Sequence, residues 1–379
     1  MLYKILVLIS AVFNQFLLLS NVYAKSNTNS EILVEMNSGR IIHENNSNER
    51  KLIASITKIM TAILTIENAS LNETVRVGKE ILKMYGTNIY LQEDELITVE
   101  DLLYGLMLRS GNDAAIVLAT YIGGTEEKFV ELMNKKAKEI GMGNTTFQNS
   151  HGLDDYNENY SSAYDMSLLS TYAYKNAIYR KIAATPKYNT KTSKKSYSWT
   201  NRNKLISQYK YCTGGKNGYT PKAGKTLVTT AENNKMALTL VSLNIPDEYN
   251  YHKSLYSEVF KKYKMYKIVD KNKFKVPGKE NLSITKSFYY PLTPNEKNNI
   301  STEIIIYPKK ESNIAGHINV NLQNKKIGMI EIYEIDQKKE DISIFLKLKN
   351  YLFEILKKFI LGRQNSLKPG PLVPTPPEI

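Results

Sequence analysis

Ala54-Ser55-Ile56-Thr57-Lys58-Ile59-Met60-Thr61-Ala62 is the stretch around which the rest of the chain organises. Apolar residues recur at helical spacing from Ile53 to Glu67, which predicts a helix with one buried face, opened by Ser55. A lysine one turn after that serine lies on the same side of the helix. A serine hydroxyl is a poor nucleophile until a base takes its proton, and a lysine amine is a base only when burial or nearby positive charge lowers its pKa. Ile53, Ile59, Met60 and Ile63 supply the apolar surroundings that Lys58 needs for this. The start of a helix also favours developing negative charge at Ser55.

The spacing alone is weak evidence in a lysine-rich chain. Ser207-Gln208-Tyr209-Lys210 and Ser283-Ile284-Thr285-Lys286 fit it equally well, but the second lies among strand-like residues, where positions three apart point to opposite faces. A second element is Ser110-Gly111-Asn112, within Leu106-Met107-Leu108-Arg109-Ser110-Gly111-Asn112-Asp113-Ala114-Ala115. There a hydroxyl and an amide project from one turn, the one to relay protons and the other to orient substrate or lysine. Ser70-Leu71-Asn72 and Ser242-Leu243-Asn244 share that pattern. A third is Lys216-Asn217-Gly218, a cation for a substrate carboxylate beside a residue that lets substrate approach the backbone, with Lys222-Ala223-Gly224 as a rival of the same form.

Around these elements, Ile32 to Met36 reads as a strand running into the turn Asn37-Ser38-Gly39, and Val99 to Tyr121 as a further helix. Leu227-Val228-Thr229-Thr230 and Met236 to Val241 read as an antiparallel hairpin about Glu232-Asn233-Asn234-Lys235. Beyond Lys264 the pattern changes to short, lysine-rich strands bounded by Pro277-Gly278, Pro291 and Pro294, with Ser301 to Tyr307 and Lys326 to Tyr333 the clearest, so residues 264–340 form a small β domain. In residues 341–363, Phe345, Leu348, Leu352, Ile355 and Phe359 share one helical face opposite Lys347, Glu354, Lys357 and Lys358. That is a basic amphipathic helix suited to lying on a membrane surface, or packing on its own protein, rather than spanning a bilayer. Residues 364–379 are proline-rich and expected to be disordered.

The net charge of +14 favours an anionic partner without choosing among nucleic acid, lipid and envelope polymer. The first segment narrows the choice. Lys4 precedes the apolar runs Ile5 to Ile9 and Phe16 to Leu19, and Val22-Tyr23-Ala24 follows, so residues 1–24 read as a secretory signal peptide, with an uncleaved anchor as the alternative. Export argues against nucleic acid and makes residues 25–263 the main exported domain. Cys212 is the single cysteine, so stability comes from packing rather than from an internal disulfide. His43, His252 and His317 stand apart and His151 reads as a turn residue, so neither a metal nor another cofactor is expected.

The three elements, in this order, form the set known from penicillin-binding proteins and class A β-lactamases. The flanking text resembles the low-molecular-mass D-alanyl-D-alanine carboxypeptidases, serine peptidase family S11, over about Glu31 to Leu243. The likeness extends to His151-Gly152-Leu153-Asp154-Asp155, Tyr160 to Met166, Lys216 to Thr220 and Ala223-Gly224. The resemblance implies an α+β penicillin-binding/β-lactamase-like transpeptidase fold, an antiparallel sheet flanked by helices, on the outer face of the cytoplasmic membrane of a bacterium. It implies a peptidoglycan stem peptide as substrate and β-lactams as inhibitors. Ser55 would attack the penultimate D-alanine carbonyl, Lys58 would accept the proton and Ser110 would relay it to the leaving amine. Backbone N–H groups of Ser55 and Tyr219 beside Gly218 would form the oxyanion hole, Lys216 and Thr220 would hold the terminal carboxylate, and Asn112 would order the cleft.

Two departures from the family pattern stand out. Asn217 replaces the usual threonine, which opens the alternative of a catalytically weakened penicillin- or wall-peptide-binding protein, and Asp247 to His252 lacks the arginine expected near the carboxylate pocket. A β-lactamase would need a glutamate-activated water, for which Glu158 is the nearby candidate, and an endopeptidase side activity stays open.

Overall fold

The structure, a computed structural model, describes residues 28–308, 313–335, 348–353 and 355. The leader (1–24), most of the amphipathic segment and the proline-rich end lie outside them. The chain divides into two compact units between Met265 and Tyr266.

The first unit is built on a five-stranded antiparallel sheet of β1 (Ser30–Glu35), β2 (Ile41–Asn45), β3 (Cys212–Thr220), β4 (Gly224–Asn233) and β5 (Met236–Leu243), in the order β2-β1-β5-β4-β3. β5 is buried along its whole length because both faces of the sheet are covered, which is why its sequence is a nearly unbroken apolar run. The two-residue period divides its neighbours. Ile32, Val34, Val228, Val241 and Leu243 enter a large helical core, whereas Leu33, Leu238 and Leu240 pack with Tyr256 and Val259 on the other side. The β4–β5 hairpin turns on Asn234 and Lys235, both with positive φ (49° and 69°), a tighter two-residue turn than the four residues expected, and one whose twist matches the strands.

The helical side consists of α1 (Lys58–Asn68), α2 (Val99–Tyr104), α3 (Asn112–Gly123), α4 (Glu126–Glu139), α5 (Ala163–Tyr174) and α6 (Ala177–Ala184). α1 is buried from Lys58 to Thr65, and each of Ile59, Met60, Ile63 and Leu64 gains roughly 1.5–3 kcal/mol from leaving water. α7 (Glu248–Lys262) covers the opposite face of the sheet. The expected single helix from Val99 to Tyr121 is in fact two. The first widens into a π turn over Gly105–Arg109 and stops at Ser110, whose φ of +65° no continuing helix allows. Apolar periodicity carries across this break because both pieces pack on the same core, so the pattern hides it.

In the second unit, β6 (Leu282–Ser283), β7 (Ile300–Ile306), β8 (Ile314–Leu322) and β9 (Lys325–Glu334) form an antiparallel sheet in the order β6-β9-β8-β7. Leu282, Ile284, Ile318, Val320, Ile330 and Ile332 make its own core. Residues 348–353 are helical, with Leu348, Tyr351, Leu352 and Phe353 exposed.

Candidate active site

Ser55 sits in a single 3-10 turn, Ala54–Thr57, that leads directly into α1, so the α-helix begins at Lys58 rather than at Ile53. Ala54 adopts a left-handed φ of +49°, which costs a non-glycine residue of order 1–3 kcal/mol and persists only where the surroundings fix it. They do so from three sides. Thr57 Oγ1 donates to Ala54 O (2.8 Å), Asn159 Nδ2 donates to Thr57 Oγ1 (3.0 Å), and Thr226 Oγ1 on β4 donates to Ile53 O (3.0 Å). The turn presents Ser55 half-buried at the edge of the sheet.

Lys58 is 0% exposed, and its Nζ has three oxygen neighbours: Ser55 Oγ at 3.1 Å, Asn112 Oδ1 at 2.7 Å and the carbonyl of His151 at 2.5 Å. The last two are acceptors only. They occupy two N–H bonds of the amine and leave its third direction facing the serine hydroxyl. Burial is the largest influence holding the Lys58 pKa well below the ordinary lysine value; the Lys216 ammonium and the Arg202 guanidinium act in the same sense, and Asp113 opposes them. A neutral amine in this setting directs its lone pair at Ser55 Oγ–H.

The helix break at Ser110 is what brings Asn112 to Lys58. Asn112 is 1% exposed, receives the lysine on Oδ1 and donates from Nδ2 to Tyr85 O (2.7 Å). Next to it, Asp113 accepts from the backbone N–H groups of Ile89 and Leu91 (3.0 Å each) and of Ala114 (2.9 Å), tying the 85–91 loop to the start of α3. Nothing in the sequence around Asp113 marks this role, which arises only once the loop is in place. Ser110 is 4% exposed, and among the described residues its hydroxyl has no hydrogen-bond partner.

On β3, register decides which side chains share the nucleophile's face. Lys216 pairs with Val228 and Gly218 with Thr226, residues that face the helical core, while Gly215 pairs with Thr229, which faces α7. Lys216, Gly218 and Thr220 therefore lie toward Ser55, and Asn217 and Tyr219 lie away from it. Gly218 is essential to this approach: a Cβ there would stand 2.7 Å from Ser55 N and 2.6 Å from Thr226 Oγ1. Lys216 is 1% exposed, donates to Asn217 O (2.7 Å), and has its pKa lowered to about 7 by burial first and Arg202 second. The Tyr219 side chain is 65% exposed, so what it offers the cleft is backbone. Thr220, expected to hold a carboxylate, instead donates its hydroxyl to Asp154 and accepts from Ala223 N–H (3.0 Å), closing the β3–β4 turn.

A loop that sequence reading treated as a turn completes the site. Asn149 Oδ1 accepts from the N–H groups of His151 and Gly152 (3.2 and 2.6 Å), and Thr61 Oγ1 on α1 donates to Ser150 O (2.6 Å). Gly152, at φ +90°, touches the strained turn so closely that a Cβ would lie 2.0 Å from Ala54 O. The His151 imidazole takes the Leu153 N–H on Nδ1, and burial and the Lys58 charge lower its pKa to about 3. It is neutral, and its contribution to the site is its backbone carbonyl. Glu158 is paired with Lys222 (3.0 Å) and accepts from Tyr160 Oη (2.7 Å), bonds that help keep it ionised and engage it away from a water-activating role. Among the described residues no cluster of histidine, cysteine and carboxylate side chains fit for a metal occurs.

The family model described as D-alanyl-D-alanine carboxypeptidase matches residues 20–247. D-alanyl-D-alanine carboxypeptidase DacF of Bacillus subtilis is 33% identical over 306 residues, 78% of this chain and 78% of that protein. DacC of Escherichia coli, a D-alanyl-D-alanine carboxypeptidase by name, is 35% identical over 229 residues, which span 56% of this chain and 55% of that protein. The solved structure of penicillin binding protein 5 from Haemophilus influenzae superposes with a TM-score of 0.70 at 25% identity, covering 81% of this chain and 96% of that one.

Proposed function

The chain belongs to the D-alanyl-D-alanine carboxypeptidase family, and from that premise we propose that it removes the terminal D-alanine from D-Ala-D-Ala-ended peptidoglycan stem peptides through an acyl-enzyme on Ser55. The observation that carries the assignment of residues is the setting of Lys58, a buried amine with two directions taken by acceptors and the third facing Ser55 Oγ. In this reading Lys58 takes the Ser55 proton as Oγ attacks the penultimate carbonyl. The oxyanion is met by the backbone N–H groups of Ser55 and Tyr219, which the missing side chain of Gly218 allows to stand close together. The Ser110 hydroxyl, unbonded in the resting site, passes a proton to the departing D-alanine amine. Water then cleaves the ester. A β-lactam forms the same ester but keeps its leaving amine tethered, so the acyl-enzyme persists.

Lys216 is the proposed partner of the substrate's terminal carboxylate. Thr220 serves by fixing the turn, since its hydroxyl is already committed to Asp154. The alternative of a weakened binding protein rested on Asn217, and the register that turns this residue toward α7 rather than toward Ser55 favours the enzyme.

Residues 25–263 are proposed as the exported catalytic domain in the bacterial cell envelope, with residues 264–340 as an appended β domain. The exposed apolar side chains of residues 348–353 support a surface-lying membrane contact for the helix assigned to 341–363, and among the described residues no helix is long and apolar enough to cross a membrane.

Release of free D-alanine from a D-Ala-D-Ala pentapeptide tests the activity. Release by the wild type that disappears in Ser55→Ala supports both the reaction and its nucleophile. A folded wild type that forms a Ser55 adduct with penicillin yet frees no D-alanine contradicts the enzyme reading.

A further inference from the structure

A stem peptide that enters the cleft by its C-terminal end leaves its other end, and the sugar chain that carries it, at the mouth. From the acylated carbonyl back to the first residue of a pentapeptide is about four residues at no more than about 3.6 Å each, so the sugar stands within roughly 14 Å of Ser55. The side chains that border the mouth therefore bear on whether sugar is recognised along with peptide.

Among the described residues of the first unit five tyrosine side chains are exposed, and four of them, Tyr85, Tyr90, Tyr156 and Tyr219, lie on segments that border the cleft. The fifth, Tyr121, is hydrogen-bonded to Glu73. Tyr90 and Tyr156 are the most exposed of all, at 73% and 91%, and among the described residues neither ring has a hydrogen bond on its hydroxyl, a stacking partner or a cation over its face. Other tyrosines of this unit are stacked, as Tyr104 is on Tyr188 and Tyr209 on Tyr256.

The backbone beneath each of the two rings is fixed. Tyr90 has a left-handed φ of +63°, which is strained for a tyrosine and persists only where the surroundings impose it. Ile89 and Leu91 impose it: both side chains are buried and both N–H groups donate to Asp113 (3.0 Å each), while Tyr90 O accepts from Lys195 Nζ. With its two neighbours turned inward, the Tyr90 ring is held in water. Tyr156 is bracketed in the same way, since Asn157 O accepts from Asn149 Nδ2 (2.7 Å) and Asp155 accepts from Tyr85 Oη. The Tyr85–Asp155 bond joins the two loops, and each loop reaches the catalytic base. Tyr85 O and Thr87 O accept from Asn112 Nδ2 (2.7 Å) and Asn112 N–H (2.8 Å), and His151 O accepts from Lys58. Short paths thus tie both rings to the cleft.

An exposed ring on a fixed backbone is ready to bind without ordering cost. Tyrosine offers a flat apolar face and a hydroxyl at its edge. A pyranose is the matching shape, with a C–H face to pack on the ring and hydroxyl and acetamido groups to meet the phenol. Two single rings on two loops suit a narrow chain of sugars better than a broad protein face, which calls for a contiguous apolar patch.

We propose that Tyr90 and Tyr156 form a sugar-binding platform at the mouth of the cleft, on which the N-acetylated glycan chain that carries the stem peptide stacks. The platform rests on the carboxypeptidase reading and extends its substrate from peptide to peptide on glycan.

The experiment compares the full chain with Tyr90→Ala, Tyr156→Ala and the double variant on two substrates, with kcat and KM resolved and thermal melting as the folding control. One substrate is a free pentapeptide ending in D-Ala-D-Ala, and the other is the same pentapeptide on an N-acetylglucosaminyl-N-acetylmuramyl disaccharide. The wild type should favour the sugar-bearing substrate by about 10-fold or more, mostly through KM, and each single variant should lose about 3- to 10-fold of that preference, the range for one aromatic contact. Tyr90→Phe and Tyr156→Phe, which keep the ring, should keep most of it. A wild type indifferent to the sugar, or variants that lose equally on both substrates, would overturn the proposal. Calorimetric binding of a peptide-free glycan oligosaccharide to Ser55→Ala makes the same comparison without turnover. A wild type that frees no D-alanine from either substrate defeats the carboxypeptidase reading, while glycan binding by Ser55→Ala, lost or kept when Tyr90→Ala and Tyr156→Ala are added, still decides the platform.

Discussion

The two faces of the central sheet each bury a polar cluster containing a histidine, and they use it differently. Under α7, His252 is 0% exposed, with Nδ1 bonded to Thr229 Oγ1 (2.7 Å) and Nε2 to Ser242 Oγ (2.9 Å), while Tyr256 Oη donates to Thr229 O (2.7 Å). Every ring nitrogen and hydroxyl there has a partner, and the cluster closes on itself. On the helical face the network of Asn149, Asn159, Thr57, His151 and Asn112 is just as well bonded, but it ends on an amine with one direction left facing a half-exposed serine. The same face holds the left-handed Ala54 and Ser110, which the α7 cluster has no counterpart for. A network closed on itself stabilises a sheet; one that ends on a buried amine beside a serine hydroxyl positions a base on a nucleophile.

Five tests bear on this contrast between the two faces. The largest effect is expected from Lys58→Ala, which should slow acylation of Ser55 by a fluorescent penicillin by on the order of 10⁴-fold, the upper range for loss of a positioned base. The change also leaves Asn112 Oδ1 and the His151 carbonyl without their donor, so thermal melting should show a folded protein less stable by roughly 1–3 kcal/mol for each acceptor left unpaired. If acylation persists at near wild-type rate, the open end of the network is not where the chemistry starts. Gly152→Ala comes next: its Cβ would collide with the carbonyl of Ala54, at a φ that disfavours any side chain, and should cost roughly 1–3 kcal/mol in denaturant unfolding together with most of the acylation.

Thr229→Val probes the closed face. It leaves His252 Nδ1 without its partner and should cost about 1–3 kcal/mol of stability while penicillin acylation stays within a few-fold of wild type. A large loss of acylation at unchanged stability would show that the two clusters are coupled through β3 and β4. Both buried histidines also make stability depend on pH. Burial, joined at His151 by the Lys58 charge, lowers each folded-state pKa from 6.5 to about 3. On acidification the unfolded chain therefore binds these protons first. Stability should be whole above about pH 6.5 and fall between 6.5 and 3, by up to about 1.4 kcal/mol per pH unit for each histidine. Urea midpoints measured across that range check the slope, and His252→Phe should flatten it. The smallest effect is expected from Asn217→Thr, which should change D-alanine release by no more than a few-fold, since the side chain points away from Ser55.

How much of this was legible in the sequence differs between the two faces as well. β1, the β4–β5 hairpin and the burial of α1 follow from periodicity, because alternation and helical spacing are local records of which side is dry, while the hairpin's turn is two residues tighter than the pattern suggests. Ser55, Lys58 and Asn112 were found through motif order, and the structure joins all three by hydrogen bonds. The break at Ser110 was not legible, since α2 and α3 continue the same apolar stripe across it. His151 was read as a turn residue, and its part in the site is a backbone carbonyl, a group every residue carries and no sequence pattern marks. The need for glycine at 152 is not legible, since the contact with Ala54 that demands it spans nearly a hundred residues. The hydroxyl of Thr220 looked available because its acceptor, Asp154, comes from a distant loop. Arg202 lowers the pKa values of Lys58 and Lys216 from a position far away in sequence, an influence that exists only in the folded chain.

Whether Lys58 works as a neutral amine on Ser55 is decided by the pH dependence of Ser55 acylation by a fluorescent penicillin, with the labelled peptide mapped. The expected result is an adduct on the peptide that contains Ser55 and a rate that rises as a single group deprotonates with an apparent pKa well below the ordinary lysine value of 10.5. An adduct elsewhere, or a rate that keeps climbing until exposed lysines titrate, would contradict it.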